Sequence, residues 1–165
     1  MKIAIGNDRN GIDYKNKLTA HLESLGYMVV NCGTDKDFPA DYPIHGECVG
    51  RLVASGECDK GIVICATGIG ICMSADKVKG VRAGMAYNDD VARLMRLHND
   101  ANVVAFGQDY MTYDEVERRT DIFLTTDFAE GYHCTRIQQI SDIENEKPIK
   151  QTPIMNINNK HTKGQ

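Results

Sequence analysis

The chain has 165 residues, enough for one domain with a hydrophobic core and too few to predict two. Hydrophobic residues make up 42%, charged residues 25%, and the formal net charge is -4. This balance is typical of a globular protein and disfavours nucleic acid or an anionic membrane as a partner, because both are bound mainly through basic surface. A small anionic substrate remains compatible with it, since a few arginine and histidine side chains suffice.

The six cysteines are scattered and do not form two Cys-x-x-Cys pairs. They are Cys32, Cys48, Cys58, Cys65, Cys72 and Cys134. Their spacing disfavours a structural zinc site, and the histidines have no ligand-like spacing, so we predict no metal and no cofactor. The first residues do not resemble a signal peptide, and no apolar run reaches membrane-spanning length. We therefore predict a cytoplasmic protein with reduced thiols.

Short apolar runs alternate with amphipathic segments along the chain. The apolar runs predict strands at 2–6, 27–31, 61–65, 82–87 and 103–106. The intervening and following segments predict helices at 13–25, 44–55, 71–77, 89–98 and 112–124. In the first helix, Leu18, Leu22 and Leu25 share one face, and Gly26 is expected to end it.

This alternation predicts an α/β fold in which a parallel sheet carries helices on both faces. Ligands bind such sheets beyond the carboxyl ends of the strands. Asp8, Cys65 and Gly107 each fall at or just past a predicted strand end, so we expect them at that edge. The domain is expected to span 1–143, followed by a polar tail at 144–165 that is either disordered or lies on a partner subunit.

The segment 62–70 carries the strongest chemical signal. An apolar strand delivers Cys65 to the sheet edge, and small residues then let backbone N–H groups approach a ligand where a helix begins. This arrangement binds anions and stabilises a thiolate, which makes Cys65 a candidate base or nucleophile. From spacing alone, the simpler interpretation is a buried strand cysteine followed by a turn, because one glycine loop is weak evidence.

Other polar residues near segment ends have equally simple structural interpretations. His98 and the amides that follow it would then cap the C-terminus of a helix. The simpler role of Asp8 is to cap the following helix, and that of Tyr42 is to anchor its loop. The glycine patterns typical of dinucleotide binding and of phosphate loops are absent from the sequence.

Taken together, ordered segments over about residues 1 to 140 resemble the ribose-5-phosphate isomerase type B family, whose fold the galactose-6-phosphate isomerase subunits share. The segments are Lys2-Ile3-Ala4-Ile5-Gly6-x-Asp8, Asp41-Tyr42-Pro43, Ser55-Gly56-Glu57, the run 61–70, Lys77-Val78-x-Gly80-Val81-Arg82-Ala83 and His98-Asn99-Asp100-Ala101-Asn102-Val103. The resemblance implies a Rossmann-like three-layer sandwich with a mostly parallel sheet. It also implies a homodimer, often paired into a tetramer, with active sites at the subunit interface.

The resemblance further implies metal-free interconversion of an aldose phosphate and a ketose phosphate. Cys65 matches the base that moves a proton between C1 and C2, Thr67 the hydroxyl beside it, and His98 the group that opens the sugar ring. The matching substrate-binding positions are Asp8 and Tyr42 at the sugar ring, Asn99 as an amide donor, and the backbone of Ala66, Gly68, Ile69 and Gly70 at the enediolate oxygens.

The phosphate end departs from the family pattern. Arg9 stands where the family usually has histidine, while Asp109 and Tyr132 stand where it has arginine. We predict that Arg9 and Arg136 bind the phosphate, from different subunits, with His133 as a helper. The alternative is that Arg9 pairs with Asp8 or Asp13.

The leading functional prediction is a ribose-5-phosphate/ribulose-5-phosphate isomerase of the pentose phosphate pathway. The first alternative is an isomerase of a six-carbon sugar phosphate, such as galactose 6-phosphate or allose 6-phosphate. The second is a non-catalytic sugar-phosphate-binding subunit. The expected partners are thus a small sugar phosphate and further copies of this chain.

Overall fold

The structure is a computed structural model that describes residues 1–37 and 39–152. Within these residues the strands are β1 (Lys2–Asn7), β2 (Met28–Asn31), β3 (Lys60–Cys65), β4 (Ala83–Met85) and β5 (Val103–Gly107). The helices are α1 (Ile12–Ser24), α2 (Tyr42–Ala54), α3 (Ile69–Asp76), α4 (Asp89–Leu97), α5 (Tyr113–Thr125) and α6 (Tyr132–Glu144). A short 3₁₀ turn, Arg9–Gly11, links β1 to α1. No helix in the described portion is both long and apolar enough to span a bilayer.

The five strands form one parallel sheet in the order β2-β1-β3-β5-β4. From β1 the chain moves towards one end of the strand order to form β2, and from β3 it moves towards the other end to form β4. A topological switch point therefore lies between β1 and β3. The ends of β1, β3 and β5 are level, since Asn7 of β1 pairs with Ile64 of β3 and Cys65 of β3 pairs with Gly107 of β5. Ligands of open α/β sheets bind at such a point. The predicted parallel α/β fold is confirmed.

Side chains alternate between the two faces of the sheet, and each face has its own core. The isoleucines of β1 and β3 and Phe106 of β5 pack against α1, α4 and α5. The smaller side chains, among them Ala4, Val63 and Ala105, pack against α2 and α3. Cys65 belongs to this second face and is only 4% exposed. The strand thus ends with its thiol beneath the start of α3.

The end of α1 was only partly predicted. Leu18 and Leu22 are fully buried as expected, but Leu25 is 53% exposed. Leu25 is the C-cap, one residue beyond the last helical turn, so it leaves the buried face. Gly26 follows with φ 84° and ends the helix as predicted.

Helix α6 was not predicted at all. Of its 13 residues only His133 is buried, while Ile140 and Ile143 are 45% and 60% exposed. Its far end is held by Glu144, whose carboxylate accepts the Gly80 N–H at 2.7 Å. The expected boundary at 143 therefore falls one residue before the helix ends. Residues 153–165 of the expected tail lie outside the described residues.

Candidate active site

The loop after β3 brings a backbone N–H donor to the Cys65 thiol. The Gly68 N–H donates to Cys65 Sγ at 3.1 Å, and the Ile69 N–H donates to Thr67 Oγ1 at 3.2 Å. Gly68 is the N-cap of α3 and contributes no side-chain cap, so the helix N-terminus faces this loop directly. An N–H donor and a helix N-terminus both stabilise a thiolate. Cys65, Ala66, Thr67, Gly68 and Ile69 therefore lie together in one anion-stabilising loop.

The same loop is pressed backbone to backbone against the end of β5. Gln108 N–H donates to the Cys65 carbonyl and Asp109 N–H to the Ala66 carbonyl, both at 3.0 Å. A Cβ added at Gly107 would lie 2.4 Å from the Thr67 carbonyl oxygen. One added at Gly68, whose φ is +80°, would lie 2.8 Å from the Phe106 carbonyl carbon. Glycine is thus required on both sides of this contact.

Tyr42 reaches the loop from the first turn of α2. A Cβ added at Gly70 would lie 2.7 Å from Tyr42 Cε2 and 2.8 Å from Cζ, so the tyrosine ring rests against Gly70. The ring is 43% exposed and remains open to a ligand. A cavity of about 400 Å³ also opens at this edge, bordered by Thr67 and Ile69 of the loop and by the exposed rings of Tyr87 and Tyr110.

Asp8 and Arg9 lie at the same edge, after β1. The Asp8 N–H donates to the Ile64 carbonyl at 3.3 Å, which brings this turn beside β3. The Asp8 carboxylate accepts the Asn10 N–H at 2.9 Å and the Asn10 side-chain amide at 3.2 Å. Asp8 therefore caps the short 3₁₀ turn, whereas the N-cap of the predicted helix α1 is Gly11. The pairing of Asn10 with Asp8 was not predicted from the sequence.

Arg9 is exposed, and its alternative partners are engaged elsewhere. Asp8 bonds to Asn10, and Asp13 forms an ion pair with Lys17 at 2.8 Å. Within the described part of the chain, neither carboxylate forms an ion pair with Arg9. The guanidinium is therefore available to an anion at this edge.

His98 and Asn99 lie at the opposite edge of the sheet. His98 is the C-cap of α4, and its N–H donates to the Leu94 carbonyl at 2.8 Å. The segment then enters β5, and the Asn102 carbonyl accepts the N–H of Gly61, near the start of β3. Because Cys65 ends β3, the four residues from Gly61 separate the two edges by roughly 13 Å. One chain does not place His98 beside its own Cys65.

The turn that carries His98 is held by Asp100, whose role was missed from sequence. Asp100 has a φ of 44°, a left-handed conformation that non-glycine residues rarely adopt. Its carboxylate accepts from Arg96 at 2.7 Å and from Arg82 at 2.8 Å. These two ion pairs offset the backbone strain and fix the turn. Only its place in the polar run after His98 hinted at this role.

His133 and Arg136 join His98 through a stack of side chains. The His98 and His133 rings are 4.4 Å apart and nearly parallel, with an interplanar angle of 15°. The Tyr132 ring lies 4.1 Å from His133, and Arg136 Cζ lies 4.9 Å from the Tyr132 ring centre. Arg136 also donates to the Tyr132 carbonyl at 2.8 Å. The two predicted phosphate arginines are therefore at different edges of one chain.

The profile of the ribose/galactose isomerase family matches residues 3–140. The chain belongs to this family. It is 38% identical to ribose-5-phosphate isomerase B of Escherichia coli over 88% of this chain and 98% of the relative. It is 37% identical to galactose-6-phosphate isomerase subunit LacB of Clostridium acetobutylicum, over 89% of this chain and 86% of the relative. The solved structure of Clostridium thermocellum ribose-5-phosphate isomerase B is 42% identical and superposes with a TM-score of 0.87, covering 88% and 99% of the two chains. The predicted family resemblance and Rossmann-like fold are confirmed.

In this isomerase family member all six cysteines are free, and the thiols differ in environment. Burial raises the pKa of Cys72 to about 12, and the nearby Asp76 carboxylate adds to the effect. Burial, followed by a hydrogen bond with Cys48, also raises the pKa of Cys32. Both thiols stay protonated near neutral pH and are poor bases. Cys65 differs from them in facing the loop N–H and the start of α3.

Proposed function

We propose that this protein interconverts ribose 5-phosphate and ribulose 5-phosphate, and that two copies of the chain together form each active site. Family membership supports the reaction class. The observation that carries the two-chain site is the placement of Cys65 and His98 at opposite edges of the sheet. A base and a ring-opening group can then meet on one small sugar only if they come from different subunits.

In the first step, His98 of one subunit opens the furanose ring. It donates a proton to the ring oxygen as the bond from that oxygen to C1 breaks. The C1 hydroxyl gives its proton to water to leave an aldehyde, and His98 regains a proton from water. His98 suits this task because it lies on a turn fixed by Asp100 and remains partly exposed. Positioned acid–base groups of this kind are most often histidines.

In the second step, the Cys65 thiolate of the other subunit removes the proton from C2. The electrons of that C–H bond form the C1–C2 double bond, and the negative charge moves to the C1 oxygen. N–H groups at the start of α3 stabilise this enediolate, as an oxyanion hole does, with Thr67 and Tyr42 beside it. Cys65 returns the proton to C1, and transfer of the O2 proton to the C1 oxygen leaves a hydroxyl group at C1 and the ketone at C2.

The phosphate is bound by Arg9 of the subunit that supplies Cys65 and by Arg136 of the subunit that supplies His98. Both guanidinium groups are on exposed residues, and Arg9 has no ion pair within the described residues. Two arginines can neutralise a phosphate dianion, and each presents donors in a planar fork. Asn99 follows His98 in the chain and completes this half of the site, while His133 stacks on His98.

No step in this scheme uses a metal or a cofactor. Protons move through His98 and Cys65, through water and between the two substrate oxygens, and charge is stabilised by N–H groups and arginines. Activity is therefore expected to survive dialysis against EDTA. The free thiols are consistent with the cytoplasmic location that the sequence predicts.

One observation favours a six-carbon sugar phosphate as the second candidate. Asp109 lies at the catalytic edge, since its N–H donates to the Ala66 carbonyl of the Cys65 loop. A carboxylate there repels phosphate and accepts hydrogen bonds from hydroxyl groups. A longer sugar would bring an additional hydroxyl group to the site and carry its phosphate farther from Cys65.

Mixing two inactive variants tests the two-chain site. Cys65→Ala and His98→Asn are each expected to be nearly inactive. If the variants are unfolded together and refolded, half of the dimers combine both chains, and each of these has one intact site. About a quarter of the wild-type activity should return, as expected for a symmetric dimer. Activity that stays at the level of the separate variants would contradict a shared site.

A panel of aldose phosphates and unphosphorylated aldoses identifies the substrate. Turnover of ribose 5-phosphate with the highest kcat/KM supports the leading proposal, and preference for a six-carbon phosphate supports the second. Wild-type protein that binds these sugars without converting any of them would be a non-catalytic subunit.

A further inference from the structure

The side chains of His98, His133, Tyr132 and Arg136 form one continuous column. Successive ring centres are 4.4 Å and 4.1 Å apart, and the guanidinium carbon lies 4.9 Å from the last ring. These distances are within the range of favourable stacking and cation–π contacts. We call these four side chains the stacked column.

We propose that Tyr132 and His133 are positioning residues, which set the distance between the ring-opening His98 and the phosphate-binding Arg136. This inference rests on the proposed function for the roles of the two outer members. The two inner members contact each other and the outer residues, and they act on the sugar through them. The column makes the two outer groups one rigid unit.

Within the described residues, the N-terminus of α6 packs on the protein mainly through one side chain. His133 is its only buried residue among those described, at 8% exposure, whereas Tyr132 is 56% exposed. The helix begins after Glu130 and Gly131, which both have positive φ. The Ala129 N–H donates to the Leu97 carbonyl at 3.0 Å and brings this turn beside the end of α4. The ring of His133 is thus the main side-chain anchor of the first turn of α6.

The other end of the column, at His98, is held by a fixed turn. His98 closes α4, and Asp100 locks the following turn through ion pairs with Arg82 and Arg96. Arg96 is 6% exposed, so this turn is tied to the protein core. Stacking on His98 therefore fixes the position of the exposed helix α6 relative to the rigid turn after α4.

The direction of the Arg136 side chain is set by two contacts with Tyr132. One guanidinium nitrogen donates to the Tyr132 carbonyl, and the planar group lies over the Tyr132 ring. An arginine has five N–H donors, so the remaining donors are available to an anion while the plane is held. Holding a binding group in place before the ligand arrives lowers the entropy lost on binding. Tyr132 thus prepares Arg136 for the phosphate.

The test compares two changes at one position. Tyr132→Phe keeps the ring and should behave like wild type, whereas Tyr132→Leu removes it. For Tyr132→Leu we expect KM for the sugar phosphate, and the dissociation constant of inorganic phosphate, to rise about 2- to 5-fold, the range of one exposed cation–π contact. The kcat should change much less, because His98 remains held by its own turn. Thr135→Ala, on the exposed surface of α6 outside the column, is the matched control and should change neither quantity.

A spectroscopic measurement makes the outcome independent of catalysis. In NMR spectra of the intact protein, Tyr132→Leu should shift the ring signals of His133 and, more weakly, those of His98, because ring currents act over stacking distances. Tyr132→Phe should leave the signals near their wild-type positions. If Tyr132→Leu leaves both the ring signals and phosphate binding unchanged, the positioning role is wrong.

The proposed function and the column fail in different ways. If the wild type converts no sugar phosphate, the reaction is wrong, yet the phosphate titration and the ring signals still decide whether Tyr132 positions Arg136. If the wild type is active but Tyr132→Leu and Tyr132→Phe raise KM equally, the ring is not the feature that matters, and the column proposal is rejected alone.

Discussion

The two edges of the sheet are built by different means. At the carboxyl edge the Cys65 loop is held by backbone contacts, with N–H groups at 3.0 Å from carbonyl oxygens and no room for a Cβ at Gly107. At the amino edge His98 is held by side chains, through the ion pairs of Asp100 and the stacked column. The first edge therefore depends on glycine, and the second depends on the identity of a few side chains.

This difference shows where the site can change without loss of the fold. A backbone-built edge tolerates no added volume where the Cys65 loop meets β5, so Gly68 and Gly107 cannot be replaced there without a clash. A side-chain edge can exchange one contact for another, and this is where Tyr132 and Arg136 now form a pair. The exposed Ile140 and Ile143 of α6 belong to this second edge, and their burial would favour its docking onto another subunit.

The largest effect is expected from the carboxyl edge. Cys65→Ala should lower kcat by ~10²–10⁴-fold, the usual range for loss of a general base, while substrate binding is retained. Steady-state kinetics together with a binding titration measures both. The matched control is Cys72→Ala, because that thiol is protonated and its removal should leave kcat nearly unchanged. A Cys65→Ala enzyme with near wild-type turnover would remove Cys65 from the mechanism.

The corresponding change at the amino edge is His98→Asn. We expect a loss of about 10²-fold in kcat with a cyclic sugar phosphate, because ring opening loses its acid–base group. An aldehyde substrate that cannot cyclise should be affected much less. The quantity to measure is the loss of kcat on the cyclic sugar phosphate divided by the loss of kcat on the aldehyde substrate. Equal losses on both substrates would contradict ring opening as the main role of His98.

The free energy of unfolding of glycine variants tests whether the carboxyl edge depends on glycine. Gly68→Ala should lower the free energy of unfolding by about 2–4 kcal/mol, because it combines a strained positive φ with a backbone clash. Gly26→Ala is the control: its φ is +84° but no atom lies within 4 Å of the added Cβ. It should cost about 1 kcal/mol, from backbone strain alone. Urea titrations that give equal losses would show that the close contact contributes nothing.

The smallest effect is expected for Arg9→Ala. KM should rise about tenfold for a phosphorylated substrate only, as expected for the loss of a hydrogen bond to a charged group. Arg51→Ala removes the same charge at the far end of α2 and should leave KM unchanged. If Arg9→Ala has no effect on KM, or if unphosphorylated sugars react equally well, Arg9 does not bind phosphate.

Much of the fold could be predicted because its signals are local. Buried parallel strands are continuous apolar runs, and their positions along the chain are correct to within one or two residues at most boundaries. The order of strands and helices then implies a parallel sheet, and a parallel sheet places Asp8 and Cys65 at one edge. The loop of small residues after Cys65 was also visible in the sequence, and the structure brings the Gly68 N–H within 3.1 Å of the thiol sulfur.

The arrangement of the two proposed half-sites was decided only by the tertiary structure. Nothing local in His98 shows that it ends a helix at the opposite edge from Cys65, because that depends on the direction of α4 across the sheet. Helix α6 was missed because it buries only His133 in its own chain, so the apolar signal that marks a packed helix is weak. The stacked column joins residues from two helices, and a contact between distant segments exists only once the chain has folded.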